Sequence, residues 1–282
     1  MSAATRLSDG RLHLQDGPID LVIHAEGPQA SAALAAAARR FEGLLASLCD
    51  ELPALRAPSG KAALKGPVAR RMGAAVAPYA AHGFITPMAA VAGAVADEVL
   101  AAMREGGGLT RGYVNNGGDI AVHVGAGERL TIGVVDRPHR PQLFARALIE
   151  PGVGGVATSG APGRGFSLGI ADAVTILSGD VASADAAATI VANAVDLPER
   201  AGIVRLPARA ILPDSDLGDL PVTRFVLPLT PAEIDAALAA GAAVAQALVA
   251  EGRIVAALLR LQGETRTVGA AGLALPGDRS HD

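Results

Sequence analysis

The residues of this chain best suited to chemistry stand in three short stretches. The first is RGYVNNGGDIAVHVGAGERLTIGVVDRP, residues 111–138, where a strand ending at Tyr113-Val114 runs into Asn115-Asn116-Gly117-Gly118-Asp119. A two-residue hairpin turn needs only two positions that tolerate positive φ, and Asn116-Gly117 would supply them. Gly118 and the carboxylate of Asp119 then exceed what the turn requires, and a glycine pair beside an acid suits the close approach of a phosphate or ribose. The second stretch, residues 183–189, is SADAAAT. Helical spacing puts Asp185 and Thr189 one turn apart on one face, offering a carboxylate and a hydroxyl to Mg²⁺ or Ca²⁺. The same pair also serves a helix without metal, because an acid in a first turn complements the dipole and a threonine hydroxyl can bond back to a carbonyl. The third stretch, residues 152–169, is GVGGVATSGAPGRGFSLG. There Thr158, Ser159, the backbone N–H groups around Gly160, and Arg164 either hold an anion together or form a plain surface loop.

Several familiar signatures are excluded. Gly160 to Ser167 has the glycines of a P-loop, but Phe166 stands where lysine must reach the β/γ-phosphates, and Pro162 lies inside the loop. Gly152-x-Gly154-x-x-Ala157 follows a strand, yet more loop follows it, not the helix whose N-terminus must face a pyrophosphate. The histidines, His13, His24, His82, His123, His139 and His281, make no H-x-x-x-H or H-x-H pair from which a zinc set could be built. No G-x-S-x-G elbow occurs. The single cysteine, Cys49, lies at helical spacing in FEGLLASLCDEL and is expected as a buried structural thiol.

With 282 residues and half of them hydrophobic, the chain can enclose a substantial core. Lys+Arg 24 against Asp+Glu 28 gives a net charge of −4. Without a basic run to track phosphates, nucleic acid is not an expected partner. The opening MSAATRLSDGRLHLQDG lacks the charged and apolar regions of an export signal, and no uninterrupted apolar run approaches ~18 residues, so we expect a cytoplasmic protein without a membrane partner.

Around the three stretches, IDLVIHA at Ile19–Ala25 reads as a strand, and the Ala- and Leu-rich segment from Pro28 as a long helix. Val68–Ala81 and Met88–Met103 read as helices parted by HGFITP. Thr110–Glu150 has a β pattern, 152–169 reads as loop, and Ala173–Leu177 as a short strand. A helix is expected over Ala184–Val195 with Ser183 as its N-cap, and another over Pro231–Ala250. Strands at Ile203–Pro207, VTRFVLPL and RIVAALLRL complete the pattern. The expected fold is a single α+β domain, a mixed or mostly antiparallel sheet packed with helices. Its expected limits are 17–263, after a lead at 1–16 and before a loose tail at 264–282.

In order along the chain, VNNGGD, IGVVDRP, GVATSG and ADAAAT resemble the landmarks of the ApbE-like flavin transferases: a V-N-x-G-G-D turn, a G-I-x-x-P strand, an A-T-S-G loop and an A-D-A-x-x-T helix. FITPMAAVAGAVADE, YVNNGGDIA, ATSG, FSLGIADAVT and ADAAATIVANAV are similar more closely still to the UPF0280 family, uncharacterised relatives of ApbE. The resemblance runs from about Gly17 to Gly263. It implies an ApbE-like fold holding a flavin or related nucleotide with Mg²⁺. By position, Asp185 and Thr189 would be metal ligands, helped by a backbone carbonyl at Met88 or Ala89. Asn115, Asn116, Gly117, Gly118 and Asp119, together with Thr158, Ser159, Gly160 and Arg164, would line the small nucleotide-like ligand, with Asp119 or Asp172 as acid, base or ligand.

Two departures from the ApbE pattern stand out. Ala92 takes the place of a lysine, and no His-x-x-Asp-Pro segment precedes AVTI. The expectation is a Mg²⁺-dependent enzyme that transfers or hydrolyses at the phosphate of a flavin or related cofactor. The alternatives are a cofactor-binding protein without chemistry, or a step in pterin or one-carbon cofactor synthesis. A homo-oligomer is compatible with each.

Overall fold

The structure, a computed structural model, describes residues 3–81, 83–135, 143–163, 165–269 and 273–274. β1 (Ala3–Arg6), β2 (Leu12–Asp16) and β3 (Ile19–Glu26) pair antiparallel. Leu12, Leu14, Ile19, Leu21 and Ile23 alternate into the core, as the period of two in their sequence requires. The expected long helix is broken into α1 (Ala30–Phe41), α2 (Leu44–Asp50) and α3 (Leu52–Leu55). Glu42, at ψ +128°, leaves the helical conformation after α1, and Gly43, at φ +72°, adopts one that a continuing helix cannot. Cys49 is exposed, contrary to expectation. α2 buries Leu44 and Leu48, and Cys49 lies one residue past Leu48, about 100° around the helix.

α4 (Pro67–Val76) passes into a 3₁₀ turn at Ala77–Tyr79, and a second 3₁₀ turn, Pro87–Ala90, leads into α5 (Val91–Glu105). α5 buries Val95, Val99, Leu100 and Met103. Each such side chain contributes about 1.5–3 kcal/mol as an upper value.

Then come β4 (Arg111–Asn116), β5 (Asp119–Val124), β6 (Leu130–Val135), β7 (Leu143–Ile149) and β8 (Gly155–Ser159). The glycine-rich run is therefore not all loop: Gly155, Val156 and Ala157 are buried in β8. β9 (Ala173–Ser178), buried at every position, leads to α6 (Val181–Ala194), which starts earlier than the expected Ala184. β10 (Ile203–Pro207), α7 (Ala208–Ile211), β11 (Pro221–Val226), α8 (Pro231–Ala250), β12 (Ala256–Leu261), β13 (Glu264–Val268) and β14 (Leu273–Ala274) complete the order. Strands thus form on both sides of the expected limits at Gly17 and Gly263.

The described residues gather into two compact units. The first comprises Met1–Leu130, Glu150–Ala157 and Ser178–Ala186; the second comprises Thr131–Ile149, Thr158–Leu177 and Ala187–Asp282. In the first, strands run in the order β1-β2-β3-β4-β5-β8, with α1 on β3 and α5 on β4 and β5. The second contains β9-β12-β13, the three-stranded β14-β7-β6 and the ribbon β10-β11, with α8 packed on β12 and β13. This is an α+β fold of antiparallel strands and packed helices.

α8 spans 20 residues and is long and apolar enough by composition to cross a membrane. That is nearer such a span than the sequence suggested, because Glu233 and Asp235 interrupt the run at its start. It buries Ile234, Ala237, Leu238, Ala242 and Ala245 along one stripe, the spacing of a core helix.

Candidate functional site

The β4–β5 hairpin pairs Asn116 with Asp119, so Gly117 and Gly118 are the two turn residues, at φ +66° and +119°. Both glycines belong to the turn, which corrects the expectation that Gly118 is spare. Its surroundings are open, but its backbone is one that side-chain-bearing residues rarely adopt. The Asn115 Oδ1 accepts the Gly118 N–H at 2.8 Å and so also serves the turn. The Asn116 side chain is buried, and its amide donates to the Ala92 carbonyl at 3.0 Å, tying the hairpin to the first turn of α5.

α5 and α6 meet at their beginnings. A Cβ on Gly93 would lie 2.5 Å from the Val181 carbonyl oxygen, and one on Gly155 2.3 Å from the Val181 nitrogen, so both glycines permit close backbone approach. Across this contact each helix caps the other. The Gly93 N–H donates to Asp185 Oδ2 at 3.0 Å. In return, the Val181 and Ala182 N–H groups donate to the two carboxylate oxygens of Asp97, at 3.3 and 2.9 Å. Locally, Asp180 accepts the Ser183 N–H at 2.8 Å and the Ser183 hydroxyl at 2.9 Å. Asp180, not Ser183, therefore caps α6, and Ser183 lies inside its first turn.

Burial pushes the Asp185 carboxyl well above the usual carboxylate range, and the negative charge of Asp119 adds to the rise, against the pull of the Gly93 and Ala92 amides. Asp97 is also pushed up by burial, to about 7; nearby Asp180 adds to the rise, while the α6 amides and Arg71 oppose it. The first unit thus holds two acids whose ionised forms are disfavoured, one of them half-buried and facing a second carboxylate. A cation would relieve that repulsion. Among the described residues no three His, Cys, Asp or Glu side chains gather to hold a metal by themselves. Such a donor set fits Mg²⁺, which takes one or two carboxylates and completes its shell with carbonyl, water and phosphate oxygens.

The other expected residues are distributed as follows. Met88 and Ala89 are half-buried in the 3₁₀ turn before α5; the Met88 carbonyl accepts the Val91 N–H, and the Ala89 N–H donates to the Thr86 carbonyl at 3.1 Å. Thr189 is half-buried one turn beyond Asp185 on α6. Within the second unit, the exposed Thr158 shares a hydrogen bond of 2.8 Å with the hydroxyl of buried Thr175. Ser159 ends β8, half-buried. Gly160 lets the backbone pass Asp172, since a Cβ there would lie 2.6 Å from the Asp172 carbonyl oxygen. The Asp172 carboxylate accepts the N–H of Gln262, whose φ of +44° marks the β12–β13 turn. Asp172 thus braces that hairpin. Arg164 and His82 lie outside the described residues.

Sequence reasoning missed Asp180 and Asp97. Asp180-x-x-Ser183 carries a readable capping spacing; Asp97 carried no local signal, because its partners lie 84 and 85 positions away.

Residues 4–267 match the family model described as AbpE bacteria, and the chain belongs to that family. More particularly, it is similar to UPF0280 proteins. That of Methanoculleus marisnigri is 37% identical over 142 residues, 49% of this chain and 57% of the relative. That of Methanoregula boonei is 40% identical over 118 residues, 41% of this chain and 49% of the relative. The chain spans about half the length of these relatives. The crystal structure of the ApbE protein from Thermotoga maritima superposes with a TM-score of 0.50 at 13% identity, over 94% of this chain and 96% of that one, a likeness of fold. The expected kinship with UPF0280 and ApbE-like proteins is borne out.

Proposed function

We propose that this chain binds a flavin nucleotide, or a related nucleotide-like phosphate ester, together with a divalent cation, and that it transfers or hydrolyses at the phosphate. The observation that carries the proposal is the Asp185 carboxylate, half-buried on the α5 amides and facing the charge of Asp119. In this reading Asp185 holds the cation, with Thr189 one turn along the same helix and a carbonyl of Met88 or Ala89 as further ligands. When bound, Mg²⁺ supplies neutralisation of phosphate charge and polarisation of the bond under attack. Asp119 acts as a further ligand or as the acid–base group, and the Asn115–Asp119 turn presents backbone to the ligand. Supporting the flavin is the resemblance of VNNGGD, GVATSG and ADAAAT to the ApbE-like flavin transferases, together with the match of residues 4–267 to the AbpE bacteria family.

A second reading, a binding protein without chemistry, is favoured by Ala92. Its carbonyl accepts from Asn116, and its methyl group stands where ApbE-like enzymes carry a cation. Incubation with FAD and Mg²⁺ separates the two: FMN and AMP are expected if the chain is an enzyme, unaltered bound FAD if it is a carrier, and absence of binding removes the flavin. Independently, Mg²⁺ at ~100 times its dissociation constant should stabilise the wild type by about 2.7 kcal/mol. Identical responses of wild type and Asp185→Asn in thermal melts would sink the metal assignment.

A further inference from the structure

We propose that Asp97 is a positioning residue for this site: from the second turn of α5 it grips the first two amides of α6 and so sets where the Asp185 carboxylate stands. The proposal rests on the divalent-cation reading above and identifies the part of the chain that holds the ligand in place.

The geometry is reciprocal. On α5, Gly93 and Asp97 lie one turn apart; on α6, Val181 and Asp185 do as well. Gly93 donates to Asp185, and Val181 and Ala182 donate to Asp97. The two helices are thereby stapled at two points, and the absent side chain of Gly93 lets its backbone lie against Val181 and Ala182. Ordinary capping does not explain Asp97. Asp180 already takes the Ser183 amide and hydroxyl, whereas the Val181 and Ala182 amides are met from the neighbouring helix. Asp97 is buried at 8% exposure, where a carboxylate is costly, with Asp180 as a like charge nearby and Arg71 as the opposing one. If its grip is released, the N-terminal turn of α6 can rotate or slide on α5, carrying Asp185 with it. A ligand oxygen displaced by about 1 Å no longer meets its cation.

The test uses Mg²⁺ alone, titrated calorimetrically into the wild type, Asp97→Asn and Thr230→Ala, the last being a loss of helix cap on α8. Asp97→Asn puts an NH₂ donor in place of one of the two carboxylate oxygens, so one of the two amides that now meet separate oxygens loses its acceptor. We expect it to weaken Mg²⁺ by about tenfold, the scale of one lost charge-assisted hydrogen bond, while Thr230→Ala leaves the affinity unchanged. Amide exchange should quicken at Gly93, on the far staple, as well as at Val181 and Ala182. Wild-type affinity and unchanged Gly93 exchange in Asp97→Asn would show a cap and nothing more, overturning the proposal. If the wild type binds no Mg²⁺, the cation reading fails by itself, and the coupled exchange at Gly93 still decides whether Asp97 positions Asp185. Should Asp97→Asn not fold, native-state exchange of the wild type in low denaturant replaces it. Gly93, Val181 and Ala182 must then open in one step, and separate openings overturn the proposal.

Discussion

Two helix N-termini in this protein are capped in opposite ways. α8 begins at Thr230-Pro231-Ala232-Glu233, where the Thr230 hydroxyl accepts the Glu233 N–H at 3.3 Å and the Glu233 carboxylate accepts the Thr230 N–H at 2.7 Å. This capping box is complete within four residues and open to solvent. α6 begins with a local acid, Asp180, and a second acid, Asp97, brought from another helix and buried. Because one arrangement is wet and the other dry, pH acts on them with opposite sign. The amide of Thr230 and then the guanidinium of Arg200 hold Glu233 below its usual range, whereas burial lifts Asp97 to about 7. A local cap can be exchanged with little consequence; a tertiary cap ties two elements together and makes their contact sensitive to one proton.

The contrast breaks most severely at Gly93. A valine there would drive its Cβ to 2.5 Å from the Val181 carbonyl oxygen, and backbone cannot yield as a flexible side chain can. Gly93→Val should cost about 3 kcal/mol or more in urea denaturation. Gly118→Ala meets no neighbour and bears only the strain of its positive φ, about 1–2 kcal/mol. Equal losses at the two positions would mean that the α5–α6 contact is loose.

The pH response reads the same contact through its proton. With a folded-state pKa of about 7 against an ordinary 3.8, Asp97 binds its proton more tightly folded than unfolded. Its contribution is therefore full below the unfolded pKa and is lost as pH rises through the folded one, by up to ~1.4 kcal/mol per pH unit in that window. Asp185 shifts in the same direction. Asp97→Asn should flatten the fall in stability between pH 4 and pH 7 as set by those two values. A slope identical to wild type would place its origin elsewhere.

The smallest effect lies at the local cap. Thr230→Ala should lose about 1 kcal/mol at neutral pH. Glu233, with its depressed pKa, contributes stability that is present above its unfolded pKa and lost as pH falls through the folded one. Glu233→Gln, which removes the titrating group itself, should consequently lose acid-side sensitivity while keeping the fall toward pH 7 that Asp97 causes. Melting curves across pH read both limbs together, and a change in the neutral limb would blur the distinction between the two caps.

Patterns whose cause lies within a few residues were legible in the chain itself. The alternation of Ile19, Leu21 and Ile23 announces β3, and Thr230-Pro231 with Glu233 announces the start of α8. The helix bearing Asp185 and Thr189 and the antiparallel α+β class are equally readable, because periodicity and capping are local. Gly117 and Gly118 were legible as a turn, but its frame was not. In Asn-Asn-Gly-Gly either Asn116-Gly117 or Gly117-Gly118 can occupy the two turn positions, and strand register together with the buried tie from Asn116 to Ala92 selected the second. Cys49 looked buried because helical spacing marks a stripe without saying which neighbours cover it, and the stripe that is covered runs through Leu44 and Leu48. Only the tertiary structure could reveal Asp97. Its role depends on amides more than eighty positions away and on the missing side chain of Gly93, and no local pattern encodes a hydrogen bond that exists only after two helices have packed.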